Sequence, residues 1–93
     1  MGVFYSRATA GVVPLNSYTT KFFATCPNNG VRIEYTFNLR TQKVVQAEAF
    51  IAHVSEIQHG YHEQIADDLH AKYGDEQTLT ADHHGVFIET YRR

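Results

Sequence analysis

The stretch VRIEYTFNL, residues Val31–Leu39, contains the clearest secondary-structure pattern in the chain. Apolar side chains at positions 31, 33, 35, 37 and 39 alternate with polar or charged ones. Successive residues of a β-strand point to opposite faces of a sheet, so this alternation predicts a strand with one buried face and one solvated face. A helix could not gather the same five side chains on one side. The predicted fold is therefore built around this strand.

A second strand is predicted just before it. Thr19–Cys26 is rich in β-branched and aromatic side chains, which favour strands. The pair Asn29-Gly30 then supplies the positive φ angles that a tight hairpin turn requires. Residues 1–18 are predicted to form a loop-rich lead-in that could include a short strand near residues 3–6.

The segment that follows the central strand allows two interpretations. Alternating apolar residues over Val44–Ile51 fit a third strand, whereas Gln46–Ala49 favours a helix by propensity. We prefer the strand, because Ser55 with Gln58 three residues later fits a capping box, which would start a helix at that point.

The rest of the chain predicts one amphipathic helix and a final hairpin. The helix would span Glu56–Tyr73 and end at Gly74, and strands at Gln77–Ala81 and Val86–Tyr91 would flank a turn. The resulting order, β-β-β-α-β-β, predicts one α+β domain over residues 1–93. It would consist of an antiparallel sheet of about five strands with one amphipathic helix packed on one face.

The composition is that of a small globular protein. A chain of 93 residues with 43% hydrophobic and 19% charged residues can bury one core but not two. Its single cysteine, Cys26, excludes an intrachain disulfide. Neither a signal-peptide pattern nor an apolar run of about 18 residues is visible, so we expect a cytoplasmic protein without membrane contact.

Six histidines are the unusual feature of the composition. If Glu56–Tyr73 is one helix, His59 and Glu63 are spaced i, i+4 and could share a metal ion, completed by a histidine from the last hairpin. However, Ala66 stands where the second histidine of a His-Glu-x-x-His motif belongs, and exposed surface histidines are the simpler interpretation. The sequence thus predicts no metal site; the candidates, should one exist, are His59, Glu63, His83 and His84.

No arrangement of residues in the sequence points to catalysis. Cys26 has no helix N-terminus near it in the sequence to activate its thiol, so a small core residue is the simpler interpretation. Gly-rich phosphate loops, Gly-x-Ser-x-Gly and Cys-x-x-Cys are all absent. We therefore predict no catalytic residue and no cofactor, and favour a non-enzymatic protein.

Charge is distributed unequally along the chain. Residues 1–46 carry five basic residues and one acidic residue, whereas residues 47–93 carry three basic and nine acidic residues. A basic sheet face and an acidic helix face would favour electrostatically guided association, with another protein or as a homodimer. The predicted binding residues lie on or beside the solvated face of the central strand: Arg32, Thr36, Asn38, Arg40 and Lys43.

The first functional hypothesis is therefore a small protein-binding module, a regulator or inhibitor of the kind that phages and mobile elements encode. It would act through its sheet face or its acidic helix face. One alternative is a nucleic-acid-binding sheet domain, although such modules are usually basic and this chain has a net charge of −2. The other is a small oligomeric enzyme or metal-binding protein that combines His59 and Glu63 with His83 and His84.

Overall fold

The first hairpin of the structure is the one that the sequence predicts. A computed structural model describes residues 15–93, with strand β1 at Asn16–Thr25 and strand β2 at Arg32–Thr41. The two strands pair antiparallel, with Phe22 opposite Tyr35. Buried and more exposed residues alternate along β2, which confirms the two faces expected from its sequence. The predicted short strand near residues 3–6 lies outside the described residues, as does most of the lead-in predicted over residues 1–18. The prediction of a loop at residues 16–18 is wrong, because these residues pair with β2 as the start of β1.

Two helices follow where a third strand and one helix were predicted. Helix α1 spans Ala47–Ser55, and helix α2 spans His62–Tyr73. The predicted strand over Val44–Ile51 is wrong because Phe50 and Val54, one helical turn apart, are the residues of this region that enter the core. The predicted capping box is also wrong, since Ser55 is the last residue of α1.

Residues Glu56–Tyr61 form a connection that runs beside the end of β1 instead of the first turns of a long helix. The amide of Thr25 donates to the Gln58 carbonyl over 2.8 Å, and the amide of Gly60 donates to the Thr25 carbonyl over 3.2 Å. Gly60 has a φ of +148°, and a Cβ atom at this position would lie 3.0 Å from Cγ1 of Ile65. A residue with a side chain is therefore disfavoured here, and α2 starts only after this glycine.

The last two strands complete the sheet. Strand β3 spans Glu76–His83 and strand β4 spans Val86–Arg92. The sheet has four strands in the order β1-β2-β3-β4, and all neighbours are antiparallel. The observed element order is β-β-α-α-β-β, so the α+β class is confirmed. The expectation of about five strands and one helix is wrong, because the segment expected to form the third strand is the first helix.

The core lies between the inner face of the sheet and the two helices. Phe37 at its centre has no exposed surface, and its ring packs 5.7 Å from that of Phe50. The outer face of the sheet is mostly polar; for example, the Asn38 amide donates to the hydroxyls of Ser17 and Thr19, each over 2.8 Å. None of the helices described is long and apolar enough to cross a membrane.

Candidate functional site

Most of the chemically reactive side chains gather at one end of the sheet, where the β1–β2 and β3–β4 turns lie. Helix α2 also starts at this end, because the connection before it is hydrogen-bonded to Thr25. The side chain of Asn29 in one turn lies 3.5 Å from His84 in the other. We call this region the turn end; its reactive residues are Cys26, Tyr35, His59, His62, Glu63, His83 and His84.

His62 is the buried polar residue of the turn end, with 2% of its surface exposed. Its Nε2 lies 3.1 Å from the carbonyl oxygen of Leu79, which can only accept, so this nitrogen carries the hydrogen. Its Nδ1 lies 3.0 Å from Nε2 of His83. In neutral His62 that Nδ1 must accept, so His83 donates through Nε2. The contacts thus assign the tautomers of both rings and leave Nδ1 of His83 without a hydrogen.

The environment of His62 keeps its ring neutral. Burial lowers the pKa of His62, since a charged imidazolium loses its hydration inside the protein. The hydrogen bond to the Leu79 carbonyl opposes this effect, and the neighbouring His83 adds to it. His62 is therefore a neutral, fixed acceptor at pH 7, with His83 between it and the surface.

Tyr35 connects the histidine pair to two other reactive groups. Its ring centroid lies 5.4 Å from that of His62 and 5.8 Å from that of His83. Burial raises the pKa of Tyr35, and Coulombic interactions with Cys26 and Glu63 raise this pKa further. The thiol and the carboxylate thus both lie within electrostatic range of the Tyr35 hydroxyl, which stays protonated and can donate.

Cys26 is held at the end of β1 by the turn that follows it. Its amide donates to the Val31 carbonyl over 2.8 Å, and its carbonyl accepts from Gly30 over 2.9 Å. The thiol is free and half-buried at the margin of the core. Strand alternation after the buried Ala24 places it on the inner face of the sheet, which is also the face of Tyr35 and His62.

A cleft of about 510 Å³ lies along the edge of β1, and its lining includes Thr25 and His59, which form a β-bridge with each other. At this cleft the guanidinium of Arg32 lies 4.4 Å from the ring centroid of Phe23. In residues 15–93, neither Arg32 nor Lys21 forms an ion pair. We call this the β1-edge cleft; its lining residues are Lys21, Phe22, Phe23, Thr25, Arg32, Ser55, Gln58 and His59.

The structure separates the binding residues that the sequence predicts. Arg32 lies at the β1-edge cleft, at the start of β2. Arg40, near the other end of β2, pairs with Glu76 over 3.1 Å, and Lys43 pairs with Asp75 over 3.4 Å. The side-chain amide of Asn38 already donates hydrogen bonds to the hydroxyls of Ser17 and Thr19 on β1. Thr36 lies on β2 between Arg32 and Arg40. Binding by this whole surface stays a prediction.

The candidate metal ligands are also separated. His59 precedes α2 in the connection, so it does not share a helix face with Glu63 as the predicted long helix implied. His83 contacts His62 instead of either of them, and His84 faces Asn29. Across residues 15–93, no group of three or more histidine, cysteine, aspartate or glutamate side chains could hold one metal ion.

Sequence reasoning interpreted Cys26 as a small core residue and did not include His62 among its candidate site residues. A signal for His62 exists in the sequence, since it lies three, four and seven residues before Ile65, Ala66 and Leu69, all of which are buried. A histidine on the buried stripe of a helix must find a polar partner inside the protein. No comparable signal marks Cys26, whose neighbours come from distant parts of the chain.

Comparison with known proteins gives one informative likeness. No family model matches the chain, and no curated protein does. Its structure is similar to the crystal structure of the archaeosine synthase QueF-Like in the apo form, with a TM-score of 0.72 and 20% sequence identity. The match covers 87% of this chain and 94% of that chain. This likeness shows a shared fold.

The likeness corrects the functional prediction. The sequence favoured a non-enzymatic protein-binding module, a regulator or inhibitor, whereas the fold shared over most of the chain occurs in an enzyme. That prediction is therefore wrong. It depended on the absence of short catalytic motifs, and the groups at the turn end come together only through the fold.

Proposed function

We propose that the chain is an enzyme whose chemistry is related to that of archaeosine synthase, with its reacting groups on the inner face of the turn end. The observation that carries this proposal is the contact of the buried His62 with the partly buried His83, both of which pack against Tyr35. Cys26 and Glu63 act electrostatically on the same tyrosine. The fold shared with an archaeosine synthase supports the same conclusion.

In this proposal Cys26 supplies the nucleophile, because a thiol is the group of this set best suited to form a covalent intermediate. Its sulfur adds to an electrophilic C=N or C=O carbon of the substrate. The S–C bond forms as the π electron pair moves to the nitrogen or oxygen, which receives the proton given up by the thiol. An amine of a second substrate then attacks the same carbon, the C–S bond breaks, and the proton given up by the amine returns to the sulfur, so no oxidant or reductant is needed.

The neighbouring groups then have separate tasks. His83 takes up and returns the proton at its Nδ1, while its Nε2 hydrogen stays bonded to His62. The Leu79 carbonyl holds the ring of His62 in the matching tautomer. Glu63, in the first turn of α2, provides a carboxylate that can accept hydrogen bonds from N–H groups of a substrate.

A homodimer, or a larger assembly of identical chains, stays part of the proposal. Strands β1 and β4 are the edges of the described sheet, and an edge strand can pair with another copy. On β4 the apolar side chains of Val86, Phe87 and Tyr91 are 63%, 65% and 47% exposed. Light scattering after size exclusion tests this expectation; a clean monomer at assay concentration would remove it.

The proposed function is tested with the assay of archaeosine synthase, using that enzyme as the positive control and mass spectrometry to detect the product. We expect turnover by the chain and its loss in Cys26→Ser. His84→Gln is the matched control, because His84 is exposed, has no task in the proposed step, and forms a side-chain hydrogen bond only with Asn29 within residues 15–93. Urea unfolding must first show that both variants fold.

Two results would contradict this proposal. If the chain shows no turnover while archaeosine synthase is active in the same assay, the proposed relation between their reactions is wrong. Full activity in folded Cys26→Ser would remove the covalent step, whatever the substrate.

A further inference from the structure

Two cations of the β1-edge cleft lack the carboxylate partners that most other basic residues of the structure have. In the part of the chain that the structure describes, Lys21 and Arg32 form no ion pair. Glu34 shares their sheet face but is not within ion-pair distance of either. Residues 1–14 contain no aspartate or glutamate that could neutralise them. By contrast, four basic residues are paired with carboxylates: Arg40, Lys43, Arg92 and Arg93.

The residues that line the cleft include several hydrogen-bond donors and no aspartate or glutamate. Arg32 is positioned by its contact with the ring of Phe23, which leaves less side-chain freedom to lose when a ligand binds. Hydroxyl groups come from Thr25 and Ser55, and further donors come from Gln58 and His59. The backbone of this side of the cleft is fixed to β1 by the Thr25 hydrogen bonds.

These features match a phosphate group better than a carboxylate. A phosphate monoester carries close to two negative charges at neutral pH and offers three terminal acceptor oxygens, which suits two cations surrounded by several donors. Guanidinium groups recognise phosphate with paired hydrogen bonds, and ammonium groups add a point charge. The volume of about 510 Å³ lies within the range of small-molecule sites.

We propose that the β1-edge cleft binds the phosphate group of a phosphorylated small molecule. Arg32 and Lys21 supply the charge, and Thr25, Ser55 and His59 donate hydrogen bonds. Neither Cys26 nor His62 lines this cleft. It does not depend on the proposed enzymatic reaction.

The test is a titration of the full chain with inorganic phosphate and with a nucleoside 5′-monophosphate, followed by ¹H–¹⁵N NMR at constant ionic strength. We expect saturable shifts confined to residues 21–25, Arg32 and residues 55–59, and none with the unphosphorylated nucleoside. Arg32→Gln and Lys21→Gln should each weaken binding about tenfold, since each removes a charge-assisted contact. Arg40→Gln is the matched control, because Arg40 lies on the same strand face but pairs with Glu76.

Three outcomes would overturn the proposal. The first is no saturable shift with either phosphate ligand. The second is an equal loss in Arg40→Gln, which would indicate general surface charge. The third is binding of heparin or single-stranded RNA only, spread along all of β2, which would indicate an extended polyanion surface. Because no turnover is measured, failure here is distinguishable from failure of the enzymatic proposal.

Discussion

Replacing the buried histidine with an amide should remove most of the acid sensitivity that it gives to folding. His62 is 2% exposed, and its pKa is lowered in the folded protein chiefly by burial. In the unfolded chain its pKa returns to about 6.5. Between that value and the lower folded value, the unfolded state binds one proton more than the folded state. The free energy of unfolding therefore decreases as the pH is lowered through this range, by up to about 1.36 kcal/mol per pH unit.

His62→Gln separates this titration from the hydrogen bonds. The glutamine amide can donate to the Leu79 carbonyl and accept from Nε2 of His83, but it does not titrate. Above about pH 7.5, where His62 is neutral in both states, we expect the variant to be less stable by about 1 kcal/mol, the net value of one imperfectly replaced hydrogen bond. Below about pH 6.5 the wild type loses stability and the variant does not, so the two curves should converge.

Urea unfolding followed by circular dichroism at a series of pH values between about 5 and 8 measures the effect. His84→Gln serves as the control, because it removes an exposed histidine of the same turn end. Its pH dependence should follow that of the wild type. If the curves of His62→Gln and the wild type stay parallel throughout, His62 is not held neutral by burial and the tautomer assignment is wrong.

Three further perturbations test the fold around the site. Phe37→Ala should lower the free energy of unfolding by about 3–5 kcal/mol, because the ring is fully buried; a loss below about 1 kcal/mol in urea unfolding would contradict the core assignment. Gly60→Ala should cost about 1–3 kcal/mol by the same measurement, since φ is +148° and the new Cβ would lie 3.0 Å from Ile65; an unchanged midpoint would argue against this backbone. Thr41→Val should raise the pKa of Asp75 toward its usual value, because the hydrogen bond from the Thr41 hydroxyl is the main cause of its lowered pKa. NMR titration of the Asp75 carboxyl group measures this pKa. An unchanged titration midpoint would contradict the hydrogen bond between Thr41 and Asp75.

Strand β2 could be predicted from sequence because it buries one face, so alternation along a few residues determines both its existence and its orientation. Helix α1 could not. Its apolar residues satisfy a strand pattern over Val44–Ile51, and the choice depends on Phe50 packing against Phe37 and Tyr18 from other elements. Tertiary contacts of this kind override local pattern in short segments.

Less of the candidate site than of the fold could be predicted from the sequence. Cys26, His62 and His83 belong to three separate elements, which meet through the pairing of β2 with β3 and the bridge between Thr25 and His59. Neither pairing has a local signature. The histidines were visible as a compositional excess, but their grouping depends on where α2 begins, and that start was placed six residues too early.

The position of that helix start is what divides the histidine-rich segment into two sites. In one continuous helix, His59 and Glu63 would share a solvated face. In the structure the connection pairs with Thr25, so His59 is exposed in the β1-edge cleft while His62, just beyond Gly60, turns into the core. The same two hydrogen bonds fix Thr25, the residue before Cys26. The bridge thus ties the end of β1, where Cys26 follows, to the connection that leads into the helix of His62.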